Sequence, residues 1–270
     1  MHKRIRLNAA ALAGLLIILF FLIIAVFAPV LAPYDPKEMI ASYLPPSREH
    51  LLGTNDVGQD IFSEMVYGTR VSLYIGIFAA FIVTGVGTVL ALVSGYFGGV
   101  TDKIITAITN IAMAVPSLPL TVLLVAYLNP GKWSLIIAIS VTAWTGTARI
   151  LRSRVMQLKE LPFIKIEKTM GVHPVVILFK HILPNIKDII LTRGAMAISG
   201  AMMTEAGLSF LGLGEFGEKS WGSVLHYAFF RNSIMKQQYW WYVPPIICIC
   251  VCVFGFMLIG YYGKIKKGGE

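Results

Sequence analysis

Charged residues are scarce in this sequence, making up 14% of 270 positions, against about 25% in an ordinary soluble domain. With 56% hydrophobic residues and a mean hydropathy of +0.73, that shortage excludes a soluble globular domain. Cysteine is nearly missing too. Cys248, Cys250 and Cys252 share one apolar run, at a spacing that matches no zinc or disulfide framework, so they read as packing or lipid-facing residues. The five histidines all lie outside the long apolar runs, and no ligand set for a metal is expected. No phosphate-cradling GxxxxGK[ST] loop occurs, so nucleotide is not held by that route and any ATP energy must come from another subunit.

Long apolar runs are abundant. A bilayer-spanning helix takes roughly 20 apolar residues, and six candidate stretches run over about 9–32, 72–97, 104–128, 133–148, 189–213 and 242–262. The fourth is short, but Arg149 and Arg152 can snorkel from its end, and Trp133 and Trp144 can sit toward the interfaces. The first follows Lys3, Arg4 and Arg6 yet exceeds the core of a secretory signal, so it reads as a retained helix with a cytoplasmic N-terminus. Six spans from that start put both termini inside. Fifteen of the 23 Lys and Arg residues then fall inside and seven outside, as the positive-inside rule requires. The net charge of +9 is thus a topology signal, and nucleic-acid binding is not expected.

The cytoplasmic loop Arg149 to Lys187 carries eight basic residues against Glu160 and Glu167 and is too long to be a plain turn. Phe163, Ile166 and Met170 recur at i, i+3 and i+7, and Gly171 stands where a helix would end in a left-handed conformation. This predicts a short amphipathic helix parallel to the membrane, resting on lipid or docking a cytoplasmic partner. Leu183-Pro184 then favours a new helix start.

Within the third stretch Pro116 and Pro119 predict a kink, which serves either packing or a translocation pathway. Gly85, Gly87, Gly95, Gly99, Gly194, Gly200 and Gly207 suggest close helix approach. Glu205 stands out because a carboxylate in a span costs roughly 2.5–3.5 kcal/mol on insertion scales. It is either a functional group of the pathway or a carboxylate near the outer end in a wet, protein-lined cleft. Arg193 is about three turns away on the same span and does not reach it on a regular helix.

Three blocks resemble a known family. The first is Leu52-Gly53-Thr54-Asn55-Asp56-Val57-Gly58-Gln59-Asp60-Ile61-Phe62-Ser63, followed by Tyr67-Gly68-Thr69-Arg70-Val71-Ser72-Leu73. The second is Glu167, Gly171 and Ile182-Leu183-Pro184 in the cytoplasmic loop, and the third is Leu208-Ser209-Phe210-Leu211-Gly212-Leu213-Gly214 with Trp221-Gly222. Spanning about residues 50–222, they are similar to the permeases of binding-protein-dependent ATP-binding-cassette importers of the dipeptide, oligopeptide and nickel group, specifically the second permease. Lys168 and Thr169 depart from the family's usual alanines, and the end of the chain lacks its common aspartate-rich finish.

The resemblance implies an all-α membrane protein with the type I importer permease fold and a cytoplasmic coupling helix. It divides the chain into an N-terminal helix and external segment (1–71), a permease core (72–262, with the coupling loop 149–187) and a basic tail (263–270). It implies a second permease, two cytoplasmic ATP-binding subunits that hold ATP and Mg, and an extracellular binding protein or lipoprotein. Phe163, Ile166, Glu167, Lys168, Thr169, Gly171, Leu183 and Pro184 would form the ATPase-coupling element. Gly53, Thr54, Gly58, Asp60, Gly68, Arg70, Ser209, Gly212 and Gly214 would be structural motif positions, and Glu205, Pro116 and Pro119 candidate pathway residues. No bond chemistry is expected of this chain. Peptides are the favoured cargo, with nickel or a chelate as the alternative. Two other classes compete: a hydrolase using Ser209, which lacks an intramembrane base, and a self-contained carrier with Glu205 as coupling group.

Overall fold

A computed structural model describes residues 8–215 and 217–263. Lys3, Arg4 and Arg6, and the tail bases Lys264, Lys266 and Lys267, lie outside the described residues. Among the described residues all the regular structure is helical, apart from one isolated β-bridge between Thr54 and Asp60.

Helix α1 (Ala9–Leu31) is apolar on all sides. A segment of turns and bends, folded back on itself through bonds such as Ile40 N to Gly58 O, leads to α2 (Ile61–Phe97), which starts eleven residues before the apolar run. Asp60 caps it, its Oδ2 accepting from Ser63 N and Ser63 Oγ, both at 2.8 Å. Gly98 and Gly99, both at positive φ, turn the chain into α3 (Gly99–Ala114). Gly99 therefore makes a turn, and the pair Gly95/Gly99 is not a packing motif.

The third stretch is broken rather than merely kinked: α3 and α4 (Ser117–Leu128) meet at 87°. Pro116 sits at the break and Pro119 in the first turn of α4, where its missing donor costs nothing. Helix α5 (Lys132–Lys159) runs eleven residues past the predicted end at 148. A short helix, α6 (Pro162–Thr169), follows. The chain is helical again from α7 (Pro174–Val176), earlier than Pro184, and passes through a π-helical turn (Ile177–Ile182) into α8 (Leu183–Leu208). A second π turn (Ser209–Leu213), α9 (Trp221–Phe230) and α10 (Tyr239–Tyr262) complete it.

Among the described residues four helices (α1, α2, α5, α10) are long and apolar enough to cross a membrane, or five if α3–α4 is one broken span. The expected span at 189–213 is a helix, but α8 is less apolar and is not among them.

Three apolar clusters hold the bundle. One joins α1, α2, α9 and α10 around Trp221, whose Nε1 donates to Met65 O at 3.1 Å. Trp241 is buried in this cluster, whereas Phe229, Phe230 and Tyr239 are exposed. A second lies between α2 and α5 around Ile75, Ile136 and Ile139, and a third joins α2, α5, α6 and α8 around Val155, Ile164 and Ile182. Helices α2 and α5 touch through Gly87 and Gly95. A Cβ at Gly95 would stand 2.8 Å from Val155 Cβ, which no real contact tolerates. Gly95→Val is therefore expected to cost about 1–3 kcal/mol by overpacking, read as a lower melting temperature of the purified complex; an unchanged melting temperature would show that Gly95 does not set the spacing.

Candidate functional site

Two regions concentrate the predicted residues, at opposite ends of α5. Twenty-eight residues at 1.5 Å each separate them by about 42 Å.

At the first end is α6. Pro162 opens it, and its end is closed by Val172 N donating to Glu167 O at 3.1 Å and Gly171 N to Lys168 O at 3.2 Å. This is the paired bond set of a Schellman turn, and Gly171 supplies the φ of +77° that it needs. Ile164 is the one α6 side chain buried in the bundle, packed with Ile177 and Ile182. Phe163, Ile166 and Met170 form the opposite, exposed stripe at 44%, 58% and 76% exposure, flanked by exposed Lys165, Lys168 and Thr169. Glu167 is half-buried, and its Oε1 lies 2.9 Å from His181 Nε2 in the π turn, while its Oε2 is buried without a partner. That pair ties α6 to the start of α8, where Leu183 packs on the third cluster and Pro184 is exposed. Exposed Lys165 pairs with Glu160 at 2.8 Å and holds its carboxyl below the usual carboxylate range.

Sequence reasoning missed the ion pair that braces α3 against α5 near this end. Arg152 donates through Nε and Nη2 to the two Asp102 oxygens, each at 2.6 Å, and Ser94 joins them. Arg152 thus points into the protein rather than snorkelling to headgroups, and Arg149 donates to Asn110 Oδ1 at 2.9 Å. No local spacing signals a pair fifty residues apart. Arg152→Ala is expected to lower stability by about 1–3 kcal/mol through loss of these charged bonds, measured by thermal unfolding; a stability equal to wild type would show the pair to be idle.

At the other end the family-motif residues fold the external segment onto α2. Gly53 and Gly58 have φ of +69° and +88°, and a Cβ on either would strike the carbonyl of Leu44 or Ile40. Thr54 Oγ1 donates to Ala41 O at 2.6 Å, and Asp60 Oδ1 faces His50 Nδ1 at 3.0 Å. Gly68 lets Trp221 approach, and Gly212, at φ +84°, lies against His226. Gly214 packs on Ser209. These residues build structure.

Glu205 is 1% exposed and accepts from Ser209 Oγ at 2.7 Å and Ser72 Oγ at 3.2 Å, with Trp221 N donating in turn to Ser72 at 3.3 Å. It is enclosed where α8, α2 and α9 meet, not in a wet cleft, and Arg193 does not reach it. Arg193 Nε is buried without a partner. The residues around Pro116 and Pro119 are exposed, which leaves the break on the chain's outside.

Between the external segment, α2 and the Glu215–Arg231 stretch lies a cavity of about 940 Å³, with Arg70 in its wall. Lys132 pairs there with Glu215 and Glu218, and Lys219 with Glu64.

A family profile described as "Binding-protein-dependent transport system inner membrane component" matches residues 87–263. A second, for the N-terminal transmembrane domain of oligopeptide transport permease C, matches residues 1–46. An oligopeptide transport system permease protein of Bacillus subtilis is 37% identical over 95% of this chain and 84% of its own length. A dipeptide transport system permease protein of the same organism is 34% identical over 96% and 81%, and a glutathione transport permease of Pectobacterium atrosepticum is 34% identical over 96% and 86%. In structure, a chain of the inward-facing MetNI methionine ABC transporter aligns with a TM-score of 0.60 and 17% identity, over 74% of this chain and 94% of that one. That likeness carries the fold.

Proposed function

The chain belongs to the inner-membrane permease components of binding-protein-dependent ABC importers, and from that premise we propose that it carries short peptides as one of two permease chains in a heteromeric complex. It is a non-catalytic transport subunit. Its partners are a second permease, two ATP-binding subunits that hold ATP and Mg, and an extracellular binding protein or lipoprotein. The chain crosses the membrane six times with both termini cytoplasmic, α3–α4 counting as one broken span and α8 as another. Membrane lipid covers the exposed apolar faces of α1 and α10.

The observation that carries this reading is the construction of α6. A helix that buries one apolar residue, displays an exposed apolar stripe among lysines and is tied by Glu167 to His181 is built to seat on another protein. ATP-driven closure of the ATPases would move α6, and the helical run from Pro174 to Leu208 would pass the movement to the spans as a rigid body.

Peptide cargo is favoured over nickel by the peptide, dipeptide and glutathione relatives. The test is uptake in cells lacking this chain, with and without its restoration, using a radiolabelled tripeptide and labelled nickel. Restoration of tripeptide uptake alone is the expected result; restoration of nickel uptake alone would sink the peptide reading.

A further inference from the structure

The 940 Å³ cavity at the end of the bundle away from α6 has the size of a small-ligand site. Most of its charges are already paired. Arg231 Nε lies 2.7 Å from Asp56 Oδ2, Lys132 pairs with Glu215 and Glu218, and Lys219 pairs with Glu64. Asp35 and Lys37 are exposed at its rim.

Two charged groups of the wall are left over. Arg70, an exposed residue, has no hydrogen-bond or ion-pair partner among the described residues. Glu64 is 1% exposed, and although its Oε1 accepts from Asn55 Nδ2 at 2.8 Å and from Lys219, its Oε2 has no partner. A buried carboxylate oxygen without a donor is costly, and such exceptions call for a physical reason. Lys219 shows what this corner does with an ammonium group. Its Nζ meets Glu64 Oε1, lies 2.7 Å from Gln59 Oε1 and stands 4.7 Å from the centre of the Tyr227 ring. Glu64 lines the cavity with its Oε2 enclosed in the wall, so a second ammonium beside Lys219 meets that oxygen when the carboxylate turns toward the cavity.

Glu64 and Arg70 are six residues apart on α2, about 9 Å of helix rise. An extended peptide spans at most about 3.3–3.6 Å per residue, so two or three residues fit between them. Tyr67, Tyr74 and Tyr227 also face the cavity and offer ring surface that accepts side chains of many kinds.

We propose that this cavity is a receiving subsite for zwitterionic di- and tripeptides, with Glu64 Oε2 taking the ammonium end and Arg70 the carboxylate end. The inference rests on the peptide-import reading above and adds to it a terminus-reading site on the permease itself. Recognition is then by termini and length, with little selection among side chains.

The test measures binding of radiolabelled Ala-Ala-Ala, its N-acetyl form and its C-terminal amide to the complete importer complex in lipid nanodiscs, with the binding protein left out. Free tripeptide should bind at least roughly tenfold more tightly than either capped form, the size of one charged hydrogen bond. Glu64→Gln should weaken free tripeptide by about tenfold and leave the N-acetyl form where it was, and Arg70→Gln should do the same for the amide. Arg70 is exposed, so its variant keeps the test decisive should Glu64→Gln fail to assemble. Equal binding of all three peptides, no binding of any, or variant and cap effects that simply add would overturn the subsite. Binding-protein-driven tripeptide uptake by the wild type, measured alongside, separates the two claims. Uptake without terminus dependence removes the subsite alone, and no uptake removes the import reading beneath it.

Discussion

Gly171→Pro and Glu167→Arg are each expected to cut peptide uptake by roughly tenfold or more while the chain remains inserted at wild-type levels. Proline holds φ near −65°, whereas Gly171 sits at +77° and its N–H donates to Lys168 O. The Schellman turn cannot form with proline there, and the direction in which the chain leaves α6 must change. Glu167→Arg acts on the other tie. It removes the carboxylate 2.9 Å from His181 and sets a cation among Lys165, Lys168 and Lys180. Neither position lies in the apolar clusters that hold the bundle together, so insertion survives. A shift in α6 worth only about 1.4 kcal/mol of docking energy is already tenfold in coupling. The measurement is uptake by each variant beside its membrane level. Normal uptake at matched levels in both would refute a coupling role for α6.

That region was the most legible part of the chain, because a 3.5-residue apolar rhythm and a glycine stop are local signals. Phe163, Ile166 and Gly171 stand as the pattern predicts. Boundaries were less legible. A hydropathy scan ends the fourth span at Ala148 because Arg149, Arg152 and Arg154 follow, yet α5 continues to Lys159. Arginine, methionine, glutamine and lysine are good helix formers, and Asp102 neutralises Arg152 from another helix. The same scan starts α2 late, since Ser63, Glu64 and Arg70 look like loop residues until Asp60 caps them and Asn55 and Lys219 partner Glu64. These partners are up to 155 residues away in the chain, and periodicity carries no information about them. Glycine spacing misled in the same way. Gly95 and Gly99 have the spacing of a packing motif, but only Gly95 meets another helix, and the closest approach of α1 to α10 uses Gly14 and Gly255.

Glu205 separates the importer from the self-contained carrier. Its two oxygens accept from Ser209 and Ser72, and Ser72 takes the Trp221 N–H, so one carboxylate organises the junction of α8, α2 and α9. Glu205→Leu would leave two buried hydroxyls without their acceptor, at about 1–3 kcal/mol each, and is expected to lower the melting temperature of the complex and its level in the membrane. Glu205→Gln keeps an acceptor oxygen and nearly the same volume. If the carboxylate is a structural hub, the glutamine variant transports peptide within about twofold of wild type, since one remaining hydrogen bond of about 1 kcal/mol already holds most of the junction. If it moved an ion with each cycle, glutamine would abolish transport however well the protein folds, because an amide does not exchange a proton or bind a cation as a carboxylate does. Uptake by the two variants, with thermal unfolding beside it, therefore reads the role directly. A stable Glu205→Gln protein that does not transport would assign Glu205 to the pathway and reopen the carrier.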